Sequence, residues 1–165
     1  MGLFDFIKEA GSKIIGTDED AVPQSQTTAY SPEEIQKIND RRRAMALART
    51  IETLDFEIED LGIRVDDDLA TISGKVLDQA TKERIVLALG NTAGIARVDD
   101  QIEVEAAAPE AQFHTVEADD TLSAMAQKYY GNSMKYPVIF EANKPMLSDP
   151  DKIYPGQVLR VPLLE

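Results

Sequence analysis

Phe113-His-Thr-Val-Glu-Ala-Asp-Asp-Thr-Leu122 and Ile153-Tyr-Pro-Gly-Gln-Val-Leu-Arg-Val-Pro162 bracket the C-terminal third of the chain. The first stretch reads as a strand from Phe113 to Val116, followed by Asp120 at a helix-capping position and a helix from Thr121 to about Tyr130. Leu122 and Met125 would enter its core. A second helix is expected from Tyr136 to about Asn143, and Pro155-Gly156 turns the chain into a last strand, Gln157 to Val161. The order is βααβ, over residues 112–165.

Working back from there, Ala106-Ala-Ala-Pro109 opens a short linker, 106–111, behind an αββαβ unit at 31–105. Its first helix starts at Ser31-Pro32-Glu33-Glu34, where Ser31 and Glu34 have capping-box spacing and Pro32 takes the first helical position. Apolar residues from Ile35 to Ile58 carry that helix to about Glu59, bent or broken near Asn39. Gly62 to Val65 and Leu69 to Val76 alternate around Asp66-Asp67-Asp68 and predict a β-hairpin. Helix resumes near Asp78, stops at Gly90-Asn91, and gives way to a third strand, Ile95 to Val104.

Before this unit, Leu3, Phe4, Phe6, Ile7, Ala10 and Ile14 fall on a helical stripe interrupted by Gly11. Residues 1–15 are therefore expected as an N-terminal helix docked on the αββαβ unit, and 16–30 as a linker of low apolar content. The fold class is α+β, with two small domains and an N-terminal docking helix.

Composition narrows the function. Seventeen basic residues against 30 acidic ones give a net charge of −13, which disfavours nucleic acid as a partner. The chain has no cysteine and one histidine, so disulfides, thiolate zinc sites, cysteine nucleophiles and histidine metal clusters are out of reach. No Ser-His-Asp signature or phosphate loop is visible, and a non-enzyme is expected. No run has membrane-spanning length, the N-terminus does not read as a secretory signal, and Phe6 stands where a myristoylation motif wants Ser or Thr. A monomeric cytoplasmic protein is the expectation.

Two resemblances cover most of the chain. Residues from about Arg49 to Glu105, with Ala70-Thr-Ile-Ser-Gly74 and Gly94-Ile-Ala-Arg-Val98, resemble a BON domain. The two bracketing stretches, with Phe140-Glu-Ala-Asn-Lys-Pro145 between them, resemble a LysM domain, although Asp119 stands where that family usually has Gly. BON followed by LysM, behind Met1-Gly-Leu-Phe4, is similar to the bacterial cytoplasmic potassium-binding proteins. The stretch from about Ile15 to Arg49 is longer here than in that pattern.

The resemblance implies K⁺ as ligand, with occupancy ordering BON against LysM and an unidentified protein partner reading the closed state. Potassium is large and weakly hydrated, and several neutral backbone carbonyls can replace its water shell, whereas calcium and magnesium usually take carboxylates. Helix C-termini leave carbonyls unpaired and carry partial negative charge. On their residues alone, Gly11 and Gly90 are ordinary helix caps. With the resemblance, the carbonyls of Ile7, Ala10, Ser12, Gly90, Thr92 and Ile95 are expected to converge on the ion.

The alternative implied by the LysM resemblance is binding of peptidoglycan or other N-acetylglucosamine polymers. Its candidate contacts are Asp119, Thr121, Leu122, Asn143, Met146, Ile153 and Tyr154. The absence of tryptophan for sugar stacking weighs against it. Asp66-Asp67-Asp68 lacks the spacing of a calcium loop and reads as a solvated turn. Asp99-Asp100 reads as a solvent-facing edge, Arg41-Arg42-Arg43 as a solvated helix face, and His114 as a surface or core-edge residue.

Overall fold

The computed structural model describes residues 2–5 and 30–164. Strand β1, Gly2–Asp5, precedes α1, Pro32–Thr53; β2, Glu59–Asp66; β3, Leu69–Asp78; α2, Gln79–Gly90; and β4, Arg97–Ala106. The second domain follows with β5, Gln112–Thr115; α3, Leu122–Tyr130; a 3-10 turn, Ser133–Lys135; α4, Tyr136–Ala142; and β6, Val158–Val161. The α+β class and the order αββαβ then βααβ are those the sequence predicts.

Helix α1 begins as its residues dictate. The Ser31 hydroxyl accepts the Glu34 amide at 3.3 Å, and the Glu34 carboxylate accepts the Ser31 amide at 2.7 Å. It runs unbroken past Asn39 and ends at Thr53, earlier than the apolar pattern suggests. Asp55 takes a left-handed φ of 58° there, and Leu54, Phe56 and Ile58 pack on the core from outside the helix. Apolar spacing alone did not register that reversal.

One sheet has the order β1-β4-β3-β2, with β3 and β4 parallel and the outer pairs antiparallel. Ala70, Ile72 and Val76 on β3 and Val98 and Ile102 on β4 alternate onto the face covered by α1 and α2. Leu47 and Ile51 from α1 and Ile85, Val86 and Leu89 from α2 complete that core.

Gly2–Asp5 is a strand, not the first turn of the expected docking helix. Phe4 lies opposite Val98 and Asp5 opposite Arg97, so β1 pairs the outer edge of β4. Over four residues helical and strand periods are hard to separate, and an open edge with unpaired amides recruits an extended segment. The rest of the expected helix, including Ile7, Ala10 and Ser12, lies outside the described residues, as do residues 16–29 of the expected linker 16–30.

In the second domain β5 and β6 pair antiparallel, and Val116, Leu122, Met125, Ile139, Leu147, Leu159 and Val161 form a second core. Strand β6 serves both cores by alternation. Leu159 and Val161 face their own domain, while Val158 joins the first core together with Phe113 and Met146.

Candidate ion site at the domain junction

Helix α2 positions the site. Asp78 caps its start by accepting the Thr81 amide at 2.8 Å, and seven of its twelve residues are buried between the sheet and the second domain. At its C-terminus the Asn91 amide donates to Leu87 O (2.9 Å), the Thr92 amide to Leu89 O (3.1 Å) and the Thr92 hydroxyl to Ala88 O (2.8 Å). Among the described residues no donor reaches the carbonyl of Gly90, which closes the helix inside the protein. The Thr92 carbonyl accepts the Ile95 amide at 3.2 Å and keeps a second lone pair.

Gly90, Thr92 and Ile95 thus fall in one turn whose tip at Gly94 is exposed, while Thr92 and Ile95 are each 2% exposed. Gly94 makes that turn possible with a φ of 80°. Strand β1 ends beside it, since Asp5 sits opposite Arg97, two residues from Ile95. Among the described residues no group of three or more acidic, histidine or cysteine side chains could hold a metal ion. Besides the Thr92 hydroxyl, which donates to Ala88 O, and the Asn91 Oδ1, which accepts from Val158, the oxygens of this turn are main-chain ones.

Arg41 and Arg42 are exposed, as expected of a solvated face, but Arg43 is half-buried and tethered. Its guanidinium donates to the carbonyls of Asp67 and Gly94, tying α1 to the hairpin turn and to the Gly90–Ile95 turn at once. Asp100 also departs from expectation. Strand alternation places it with Val98 and Ile102 on the helix-facing side, 2% exposed, where it accepts the Ile102 amide at 2.9 Å and pairs with Lys82 at 3.0 Å. Lys82 in turn donates to the Ile102 carbonyl.

The junction between the domains is built on α2. Glu83, 4% exposed, pairs with Arg160 of β6 and accepts the Ala111 amide at 3.0 Å, holding the interdomain segment. Arg84 donates to the carbonyls of Ala142 (3.1 Å) and Glu141 (3.3 Å) at the end of α4. Burial and the nearby Arg160 charge lower the Arg84 pKa from its ordinary value. Asn91 reaches across to Val158: its Nδ2 donates to the carbonyl at 2.9 Å and its Oδ1 accepts the amide at 3.0 Å. The sequence marks Asn91 only as part of a helix stop and Arg43 only as part of a basic run, because each acts on backbone atoms distant in sequence.

The residues proposed for glycan contact are dispersed in their roles. Asp119 and Thr121 are exposed, and Thr121 rather than Asp120 caps α3, accepting the Ala124 amide at 3.0 Å. Leu122 is 2% exposed in the second core, and Asn143, 1% exposed, spends its amide on Ile139 and Arg160. Met146 packs at the domain junction within reach of Asn91, and Ile153 and Tyr154 are half-buried.

Residues 39–106 match the BON domain family and residues 114–162 the LysM domain family. Over 162 residues, 98% of this chain and 99% of the relative, the sequence is 42% identical to the potassium binding protein Kbp of Escherichia coli O6:H1. This chain belongs to the Kbp family. A shorter likeness, 47% identity over 49 residues, links it to an uncharacterized protein of Deinococcus radiodurans, covering 30% of this chain and 19% of that one. The near-complete overlap with Kbp includes both domains and the junction between them. Among the described residues no helix is long and apolar enough to cross a membrane.

Proposed function

We propose that this chain binds K⁺ through main-chain carbonyls at the C-terminal turn of α2, and that occupancy favours the docked arrangement of BON and LysM. The observation that carries the reading is the buried Gly90 carbonyl, without a donor among the described residues, at the helix end that touches the second domain. The family relationship to a protein described as potassium binding supports the same ligand.

The physical case is a match of charge and size. A helix C-terminus presents partial negative charge, and neutral carbonyls suit a weakly hydrated monovalent cation. The net charge of −13 raises the local concentration of cations without ligating them. Gly90, Thr92 and Ile95 supply one side of the proposed shell, and Ile7, Ala10 and Ser12 the other. Strand β1 brings the chain to Asp5, opposite Arg97 and so two residues along β4 from Ile95.

Occupancy shifts the docking equilibrium only by the ion's preference for the docked state, about 1.4 kcal/mol for each tenfold difference in affinity. Titration calorimetry with K⁺, and with Na⁺ and Mg²⁺ at matched ionic strength, tests the reading. Saturable heat with K⁺ that excess Na⁺ or Mg²⁺ does not abolish is expected, with a scattering profile that contracts on K⁺ addition. No saturable K⁺ binding rejects the proposal.

A further inference from the structure

Resting on the potassium reading and extending it to regulation, we propose that Asn91 is the positioning residue that passes ion occupancy of the Gly90–Ile95 turn to the LysM domain. Asn91 belongs to two structures at once. Its backbone caps α2, the amide donating to Leu87 O at 2.9 Å where the helix passes into the turn, while its side chain pairs both polar groups of Val158 in the other domain. It is 2% exposed.

The side chain replaces a strand. Val158 and Arg160 direct amide and carbonyl to the side of β6 away from β5, an edge that in a two-stranded sheet has no neighbour. Asn143 pairs Arg160 in the same way, accepting its amide at 2.7 Å and donating to its carbonyl at 2.8 Å. Two asparagines, one from each domain, thereby complete the outer edge of β6. Docking with the turn out of place would bury the Val158 amide and carbonyl unpaired, which is costly. Separated domains would leave them to water.

The other junction contacts start elsewhere. Glu83 and Arg84 lie in the body of α2, at least one full turn before Gly90, and their bonds to Arg160, Ala111, Glu141 and Ala142 do not involve the turn. A short asparagine side chain translates a displacement of its own backbone directly into loss of both hydrogen bonds. Arg84 holds the domains together; Asn91 makes that docking depend on the turn.

The chain contains no cysteine, so Glu52→Cys and Lys152→Cys, both at exposed positions, place a dye pair across the two domains. Energy transfer is measured in K⁺ and in Na⁺ at equal ionic strength, alongside K⁺ calorimetry, in the labelled parent and in Asn91→Ala and Arg84→Ala versions. The parent is expected to gain transfer in K⁺. Arg84→Ala should lower transfer in both salts while keeping the K⁺-dependent gain. Asn91→Ala should still bind K⁺, with affinity reduced about 5- to 150-fold, the usual range for coupled sites, and should lose the gain.

An Asn91→Ala chain that binds K⁺ and closes as the parent does overturns this inference alone. A parent that takes up no K⁺ overturns the ion reading and this inference with it. Should Asn91→Ala fail to fold by circular dichroism, Asn91→Asp decides, because it keeps the acceptor for the Val158 amide and loses the donor. A reduced gain then supports the relay, and a full gain overturns it.

Discussion

The His114 imidazole is engaged at both nitrogens, Nε2 with Asp120 at 2.7 Å and Nδ1 with the Tyr129 hydroxyl at 2.9 Å, in a site only 8% exposed. Asp120 also accepts the Glu117 amide, and its pKa is lowered, first by the His114 hydrogen bond and then by that amide. A carboxylate whose pKa is depressed on folding stabilises the protein above its unfolded value, near 4, and loses that contribution as pH falls through the folded value. Urea unfolding should therefore show the parent losing stability below about pH 4 more steeply than Asp120→Asn. Near neutral pH Asp120→Ala should cost about 1–3 kcal/mol, since a buried ring nitrogen loses its partner. Gly94 makes a second case at this scale. An added Cβ would lie 2.8 Å from the Arg43 guanidinium, and the φ of 80° disfavours any L side chain. Gly94→Ala is expected to cost about 1–2 kcal/mol from the backbone alone, read as a lower melting temperature.

At the scale of elements, β3 and β6 show how much a strand depends on what lies beside it. Gly74 has a φ of 146°, and a Cβ there would come within 2.8 Å of the Glu59 carbonyl and the Ile58 side chain, where the β2–β3 register is irregular. Gly74→Ala should destabilise the BON domain by about 1–3 kcal/mol, measured by denaturant titration. In β6 the edge is closed by side chains. Asn143→Ala would leave the Arg160 amide and carbonyl buried without partners, at about 1–3 kcal/mol for each group, and should shift the urea midpoint with little effect on the slope. That variant separates edge closure within LysM from the cross-domain role of Asn91.

At the scale of the whole molecule, α2 serves both domains, packing on the sheet through Ile85 and Leu89 and holding LysM through Glu83, Arg84 and Asn91. The Glu83–Arg160 pair is almost fully withdrawn from solvent, with side-chain exposures of 5% and 10%. Breaking such a pair strands a charge, whereas replacing both partners by apolar groups is often tolerated. Arg160→Met alone should destabilise by about 3–5 kcal/mol, and adding Glu83→Leu should recover much of the loss in the same thermal unfolding assay.

Much of this architecture was legible along the chain because its signals are local. The Ser31 capping box, the turn at Asp66–Asp68, the stop at Gly90 and the alternation of β2 and β3 each depend on residues within a few positions of one another. They determined the α+β class and the order αββαβ then βααβ. Tertiary structure alone decided what Arg43, Asn91, Glu83 and His114 do, and that Gly2–Asp5 lies as a strand on β4. Those outcomes depend on which distant carbonyl, amide or open edge is left unpaired when the elements pack. A hydrogen-bond partner 51 or 67 positions away leaves no period or spacing in the sequence from which it could be read.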